Sequence, residues 1–309
     1  MSLESFRRHT PELLIAAFGL IFLAAVSGTV GGEAGSFLVA SLDVAFFVVL
    51  AMLVYLADDR HPAYRWAAVF WLLALVGGVA AAAAGVGVIA ILPAEVLEGA
   101  EFDPETVDLA LAGEVALLLL GVLAAALASL VGLSRRFRVR LARYLPFDPD
   151  SLLHTVALVV ILALILIPTI PLLATGGPPF LSPQFLDPLL ESGDLLADTV
   201  TLNAYTLFWT LIGSFFIAGA CVRRTPRQVL KRLGLVRPTG REIALAVAVA
   251  FALVIAFHFI DPALAALVGW LGLPVTDVEA VNLLFAGSLT LPGIIVASIA
   301  AGFGEEVSI

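Results

Sequence analysis

Two adjacent carboxylates, Glu305 and Glu306, close the apolar stretch from Leu289 to Ile309, and no other residues of this chain are as well placed for acid–base chemistry. Read as a helix entered from the outer interface, that stretch rises about 1.5 Å per residue and carries Glu305 about 24 Å down. This depth is the cytoplasmic half of a hydrocarbon core about 30 Å thick. Burial there favours the neutral acid, and a second carboxylate alongside raises the pKa of one member further. A general base or acid working near neutral pH needs that tuning. The plain alternative is a helix that simply ends, with both acids solvated at the membrane surface.

Few other groups compete. Asp43 interrupts a second apolar run; an acid inside a membrane is a functional suspect, yet this one falls near the outer end of its helix, where water or a hydroxyl satisfies it. The four histidines are His9, His61, His154 and His258. The first three fall on the same side as the glutamate pair and His258 on the opposite side, so a Glu–His154 site is allowed. None stands in a His-Glu-x-x-His spacing, and ordinary interfacial histidines are the expectation. Cys221 is the single cysteine. It rules out an internal disulfide or a Cys-rich metal site and is expected as a small buried helix residue.

The elements that must position these residues follow from composition. The 309 residues are 61% hydrophobic and 13% charged, with mean hydropathy +1.08, whereas soluble domains carry about 25% charged residues. The expected class is all-α, a polytopic integral membrane protein. Runs of about 20 apolar residues mark spans near 13–32, 37–57, 66–92, 110–133, 152–174, 200–222, 242–260 and 289–309. The first is too long for the apolar region of a signal peptide, about 7–15 residues, and is read as an uncleaved helix.

Charge fixes the expected orientation. Of the 16 Lys and Arg, two precede the first run, two lie between runs 2 and 3, five between 4 and 5, and seven between 6 and 7. The alternate loops carry acids instead, Glu95 to Asp108 and Asp187 to Asp198. Positive charge stays inside, which puts the N-terminus in the cytoplasm and the protein in the plasma membrane. Topology accounts for the basic loops, so no nucleic-acid partner is implied, and the net charge of −9 says little.

Smaller features refine the elements. The Ala/Gly run Val79–Gly87 suits close helix packing in lipid. Gly176-Gly177-Pro178-Pro179 opens an outer turn. Thr225 to Leu235 reads as a short basic amphipathic helix, with Val229, Leu230 and Leu233 on one face, lying on the cytoplasmic surface. Thr276-Asp277-Val278-Glu279 has capping-box form, and Pro292 suits the first turn of the last run.

The basic segment Arg223–Arg241, one span, and then Gly304-Glu305-Glu306 closing a Pro-started helix resemble the CPBP family of intramembrane proteases, which includes the CAAX prenyl endopeptidases and bacteriocin-processing proteins. Glu305 and Glu306 match the acids of its Glu-Glu-x-x-x-Arg motif. The arginine would fall one position past Ile309, and the later Phe-x-x-x-His and His-x-x-x-Asn/Asp motifs are absent. The resemblance covers roughly residues 223–309 and divides the chain into a six-helix region, 1–222, and the start of a protease region, 223–309. It implies Glu305 as the water-activating base and Glu306 as supporting acid. Later histidines in the family complete the site or hold a metal, so the cofactor is left open, with a divalent metal such as zinc for a complete member. The implied substrate is a membrane-embedded or prenylated peptide, with membrane lipids as the other partner, and the chain as it stands is expected to be inactive. Two other readings compete: a transporter or permease using Asp43, Glu114 and the glutamate pair, and a non-catalytic scaffold or immunity-type protein. A transporter of this size usually shows internal repeats, and the two halves show no convincing one.

Overall fold

A computed structural model describes residues 3–28, 30–59, 61–93, 109–185, 195–235 and 237–272. The run 289–309 with Pro292, Glu305 and Glu306, the 276–279 cap and the acidic loop 95–108 lie outside the described residues.

The described chain is helical. Its α-helices are α1 (Leu3–Ser27), α2 (Gly32–Val39), α3 (Leu42–Asp59), α4 (Ala63–Ile91), α5 (Leu109–Ser129), α6 (Arg135–Leu141), α7 (Leu152–Thr175), α8 (Leu195–Ile217), α9 (Pro226–Arg232) and α10 (Gly240–Trp270). A 3₁₀ turn, Leu130–Leu133, extends α5. Five segments are long and apolar enough to cross a membrane: His9–Ser27, Ala63–Ile91, Leu109–Leu133, Leu152–Phe185 and Gly240–Trp270. The pair α2–α3 makes a sixth if counted as one bent span, and the apolar part of α8, Thr201–Ile217, is shorter. The described residues therefore support about five spans where eight runs are expected from sequence.

The largest departure is the second run, 37–57. It is broken at Ala40-Ser41 with a bend of 47°. A break inside hydrocarbon frees backbone carbonyls, and each must find a donor. Here the Trp209 indole donates to the Phe37 carbonyl at 2.8 Å and the Ser41 hydroxyl to Leu38; beyond the break, the Trp71 indole donates to the carbonyl of Phe46, within α3 itself, at 2.9 Å. Phe18, Phe37, Tyr205, Phe208 and Phe216 gather edge-on or tilted around Trp209 and one another.

Helix α3 is the hub. From Val44 to Leu56 most of its side chains are buried, and α1, α4 and α8 pack on it. Helices α4, α5 and α7 form a second tight trio. Glycines set the close crossings: a Cβ on Gly87 would lie 2.8 Å from Leu118, one on Gly121 2.8 Å from Ile170, and one on Gly132 2.8 Å from Val159. The Ala/Gly run Val79–Gly87 contributes Gly87 to this contact, while Gly85 faces open space. Three other buried hydroxyls bond to nearby backbone, Ser129 donating to Ala126 at 2.7 Å, Thr155 to Ser151 at 2.8 Å and Ser214 to Thr210 at 2.6 Å.

Helix α10 stands apart. None of its residues is buried, and it makes no substantial packing contact with another described element. It runs on past the expected end at 260, through Asp261 and Pro262 to Trp270. At 31 residues it is about 46 Å long, more than the hydrocarbon needs.

Candidate functional site

Glu305 and Glu306 lie outside the described residues, so the geometry on view is that of the elements leading towards them. Helix α8 ends in a tight turn over Ala218–Arg224. The Tyr55 hydroxyl donates to the Ile217 carbonyl at 2.6 Å, Arg224 donates to Ala218 at 2.5 Å, and the Arg223 guanidinium sits 5.1 Å above the Tyr55 ring. Gly219 takes φ 91 in this turn, a conformation that favours glycine, and a Cβ there would meet the Arg224 guanidinium at 2.9 Å. Cys221 adopts φ 63 in the same turn and is exposed, which corrects its expected placement inside a helix: the carbonyls at the end of α8 are drawn to Tyr55 and Arg224, and the chain reverses before Cys221.

The basic amphipathic helix is also corrected. Thr225 caps α9 through a full capping box with Gln228, so the element exists, but it is only 7 residues long. Val229 is fully buried against Ala218 and Ala220, with Leu233 and Phe215 beside it. Its apolar face is thus taken up by the end of α8, and Leu230 alone of the three apolar residues is exposed. A second capping box, Thr239 with Glu242, starts α10.

Two of the four histidines have structural work. His154 Nδ1 accepts from the Asp148 N–H at 2.9 Å, and His61 Nδ1 accepts from the Ala63 N–H at 3.1 Å. Each tightens a turn beside a helix start. His258 lies within α10 rather than at its end. Among the described residues, no three His, Cys, Asp or Glu side chains come together to hold a metal ion. The side chain of Asp43 is outside the described set.

What sequence reasoning passed over is the connection between α5 and α7, read there only as topology. Arg138 donates to the carbonyls of Pro149 (2.7 Å), Gly132 (3.0 Å) and Leu133 (2.6 Å), tying both ends of the connection to α6. Arg135 forms a two-pronged pair with Asp150 at 2.9 and 3.2 Å. The Arg135 hydrogen bond, and then its charge, hold the Asp150 carboxyl below the usual aspartate range. Five arginines within nine residues are visible in the sequence; their division into two that brace the connection and three that do not is a matter of side-chain direction, which spacing of 3 and 4 along a helix only hints at.

No protein-family model, curated protein or solved structure matches the chain. The fold defines its class: among the described residues the chain is all-helical, with several helices long and apolar enough to cross a membrane.

Proposed function

We propose that the protein is a multi-pass plasma-membrane protein with a cytoplasmic N-terminus and that its C-terminal region is an intramembrane endopeptidase of CPBP type. In this reading Glu305 takes a proton from water as the water attacks a peptide carbonyl and returns it to the leaving amine as the C–N bond breaks, while Glu306, as a supporting acid in its protonated form, donates to the oxyanion that develops. The substrate is a membrane-embedded or lipidated peptide. The observation that carries the reading is the Gly304-Glu305-Glu306 sequence closing an apolar run. The order of elements before it supports the same reading: a basic helix seated at the end of α8, a capped start, and the long apolar α10. A transport role draws less support, because the buried hydroxyls Ser129, Thr155 and Ser214 bond to backbone carbonyls three or four residues earlier.

The test is cleavage of a prenylated reporter peptide by the gene product in its native membranes. Glu305→Gln is expected to lower turnover by about 100-fold or more, the scale of a lost general base. Turnover that is unchanged by Glu305→Gln overturns the assignment. Orientation is tested separately: cysteine placed at Ala100 is expected to react with an impermeant maleimide on intact cells and cysteine at Arg138 is not.

A further inference from the structure

Helix α6 and the turn after it bear a cavity of about 600 Å³ lined by Arg135, Arg136, Val139, Arg140 and Arg143. We propose that this cavity is a binding site for the phosphate of an anionic phospholipid headgroup, with Arg136, Arg140 and Arg143 as its ligating side chains. The proposal rests on the membrane reading of the apolar helices and is independent of the endopeptidase reading.

The arginines divide by task. Arg138 is spent on three carbonyls, and the charge of Arg135 is offset by Asp150. Arg136, Arg140 and Arg143 are exposed and have no hydrogen-bond or ion-pair partner among the described residues. Their spacing, i, i+4 and i+7, puts them on one side; Arg143 lies just past the helix, in a turn where its N–H donates to the Arg140 carbonyl at 3.3 Å. Like charges at that spacing repel. An anion seated between them removes the repulsion, and a phosphate offers oxygens in the geometry that guanidinium forks match.

The mount is rigid. Arg138 staples α6 to the 3₁₀ end of α5 and to Pro149, the Arg135–Asp150 pair closes the far side, and His154 and Ser151 fix the start of α7. The backbone that carries the three arginines is thus fixed by their neighbours, so the ordering cost of binding is confined to the arginine side chains.

Location selects the lipid over free phosphate. The cavity follows directly on the candidate span Leu109–Leu133 and precedes the one that opens at Leu152, the level at which headgroup phosphates lie. Exposed apolar side chains flank it: Leu133, Tyr144 and Leu145 are 39%, 81% and 51% exposed. These give acyl chains and glycerol an apolar neighbour while the arginines hold the phosphate. Helix α9, the other basic element, shows the contrast. It has Arg227, Lys231 and Arg232 but its apolar face is closed against α8.

The test uses the purified full chain in neutral detergent, titrated with short-chain phosphatidylglycerol, short-chain phosphatidylcholine or inorganic phosphate, with lipid retention read by native mass spectrometry and stability by thermal unfolding. Phosphatidylglycerol is expected to be retained and to raise Tm, and phosphatidylcholine is not. Each of Arg136→Gln, Arg140→Gln and Arg143→Gln raises the apparent Kd about tenfold, the worth of one charge-assisted bond. Arg227→Gln with Lys231→Gln, on α9, leaves it unchanged. Arg143→Gln lies outside the helix and keeps the fold, so the comparison survives if a variant within α6 unfolds. Equal stabilisation by inorganic phosphate at matched concentration overturns the lipid assignment. Equal binding by Arg143→Gln and the unsubstituted chain, or equal loss from the α9 substitutions, overturns the site.

Discussion

Helices α3 and α10 are similar in composition and opposite in circumstance. Both are apolar around their whole circumference; α3 is buried by α1, α4 and α8, whereas α10 has no buried residue, with Phe251, Val254 and Phe259 between 67% and 68% exposed. The pair shows that apolar content says where a helix can live and not what it touches. In water an apolar face demands a protein partner, and periodicity reveals that face. In lipid the surroundings are as apolar as leucine, and the demand disappears. Packing is then decided by shape, by small residues and by the occasional polar bond.

The largest effect that tests this contrast comes from truncating each helix. Met52 on α3 is fully buried, and Met52→Ala should cost about 2 kcal/mol, the low end of large-to-small core changes. Phe251→Ala on α10 should stay within about 0.5 kcal/mol, as surface changes do. Unfolding in a mixed-detergent titration measures both, and a cost for Phe251→Ala as large as that for Met52→Ala would mean that α10 is packed in solution.

A smaller effect, opposite in sign at two sites, tests the role of small residues. Gly121→Ala sets a methyl 2.8 Å from Ile170 and should destabilise by about 1 kcal/mol. Gly113→Ala on the same helix meets nothing within 4 Å and should stabilise by about 0.5–1 kcal/mol through helix propensity. Equal signs would remove glycine-set contact between α5 and α7 as an explanation of their packing.

The smallest effect concerns the exposed ion pair. Because the Asp150 carboxyl titrates below the usual aspartate value, its contribution is present above that value and is lost as pH falls through the lowered one. Both partners are well exposed, so solvent screening leaves Asp150→Asn with a Tm change near the limit of measurement at neutral pH and none in strong acid. A large change, or one that grows as pH falls, would show that the connection between α5 and α7 depends on this pair more than on Arg138.

Much of the fold is legible in the sequence. The expected runs 66–92, 110–133 and 152–174 differ by no more than 3 residues at either end from Ala63–Ile91, Leu109–Leu133 and Leu152–Thr175, because charge and hydropathy change abruptly there. Other limits moved for physical reasons. Helix α1 ends at Ser27, before the expected 32, where Gly28 takes φ 61. The break at Ala40-Ser41 was hidden because its compensation is distant: Trp209, 172 residues from Phe37, supplies the donor. Helix α10 passes through Asp261-Pro262 because the residue before a proline is restricted but not barred from a helix. At the candidate site, the glutamate pair is read from the sequence alone and lies outside the described residues. The arginine cavity was not legible in the sequence, since alternate charges of one connection brace backbone or face outward according to directions that spacing does not fix.

The isolation of α10 bears on how the chain is made. A segment that leans on no described neighbour is accepted into the bilayer on the merit of its own residues. Apolar side chains each favour entry by about 0.3–0.6 kcal/mol and an acid at mid-depth opposes it by about 2.5–3.5 kcal/mol. Arg241 and Glu242 at one end and Asp261 at the other bracket 18 residues that carry no Asp, Glu, Lys or Arg and, His258 apart, are all apolar or small, so the formal charges fall at the edges, where they oppose entry least. The ribosome-bound channel that releases nascent helices can therefore hand α10 to lipid without waiting for the bundle, while α3 gains its place only when α1, α4 and α8 have come to surround it.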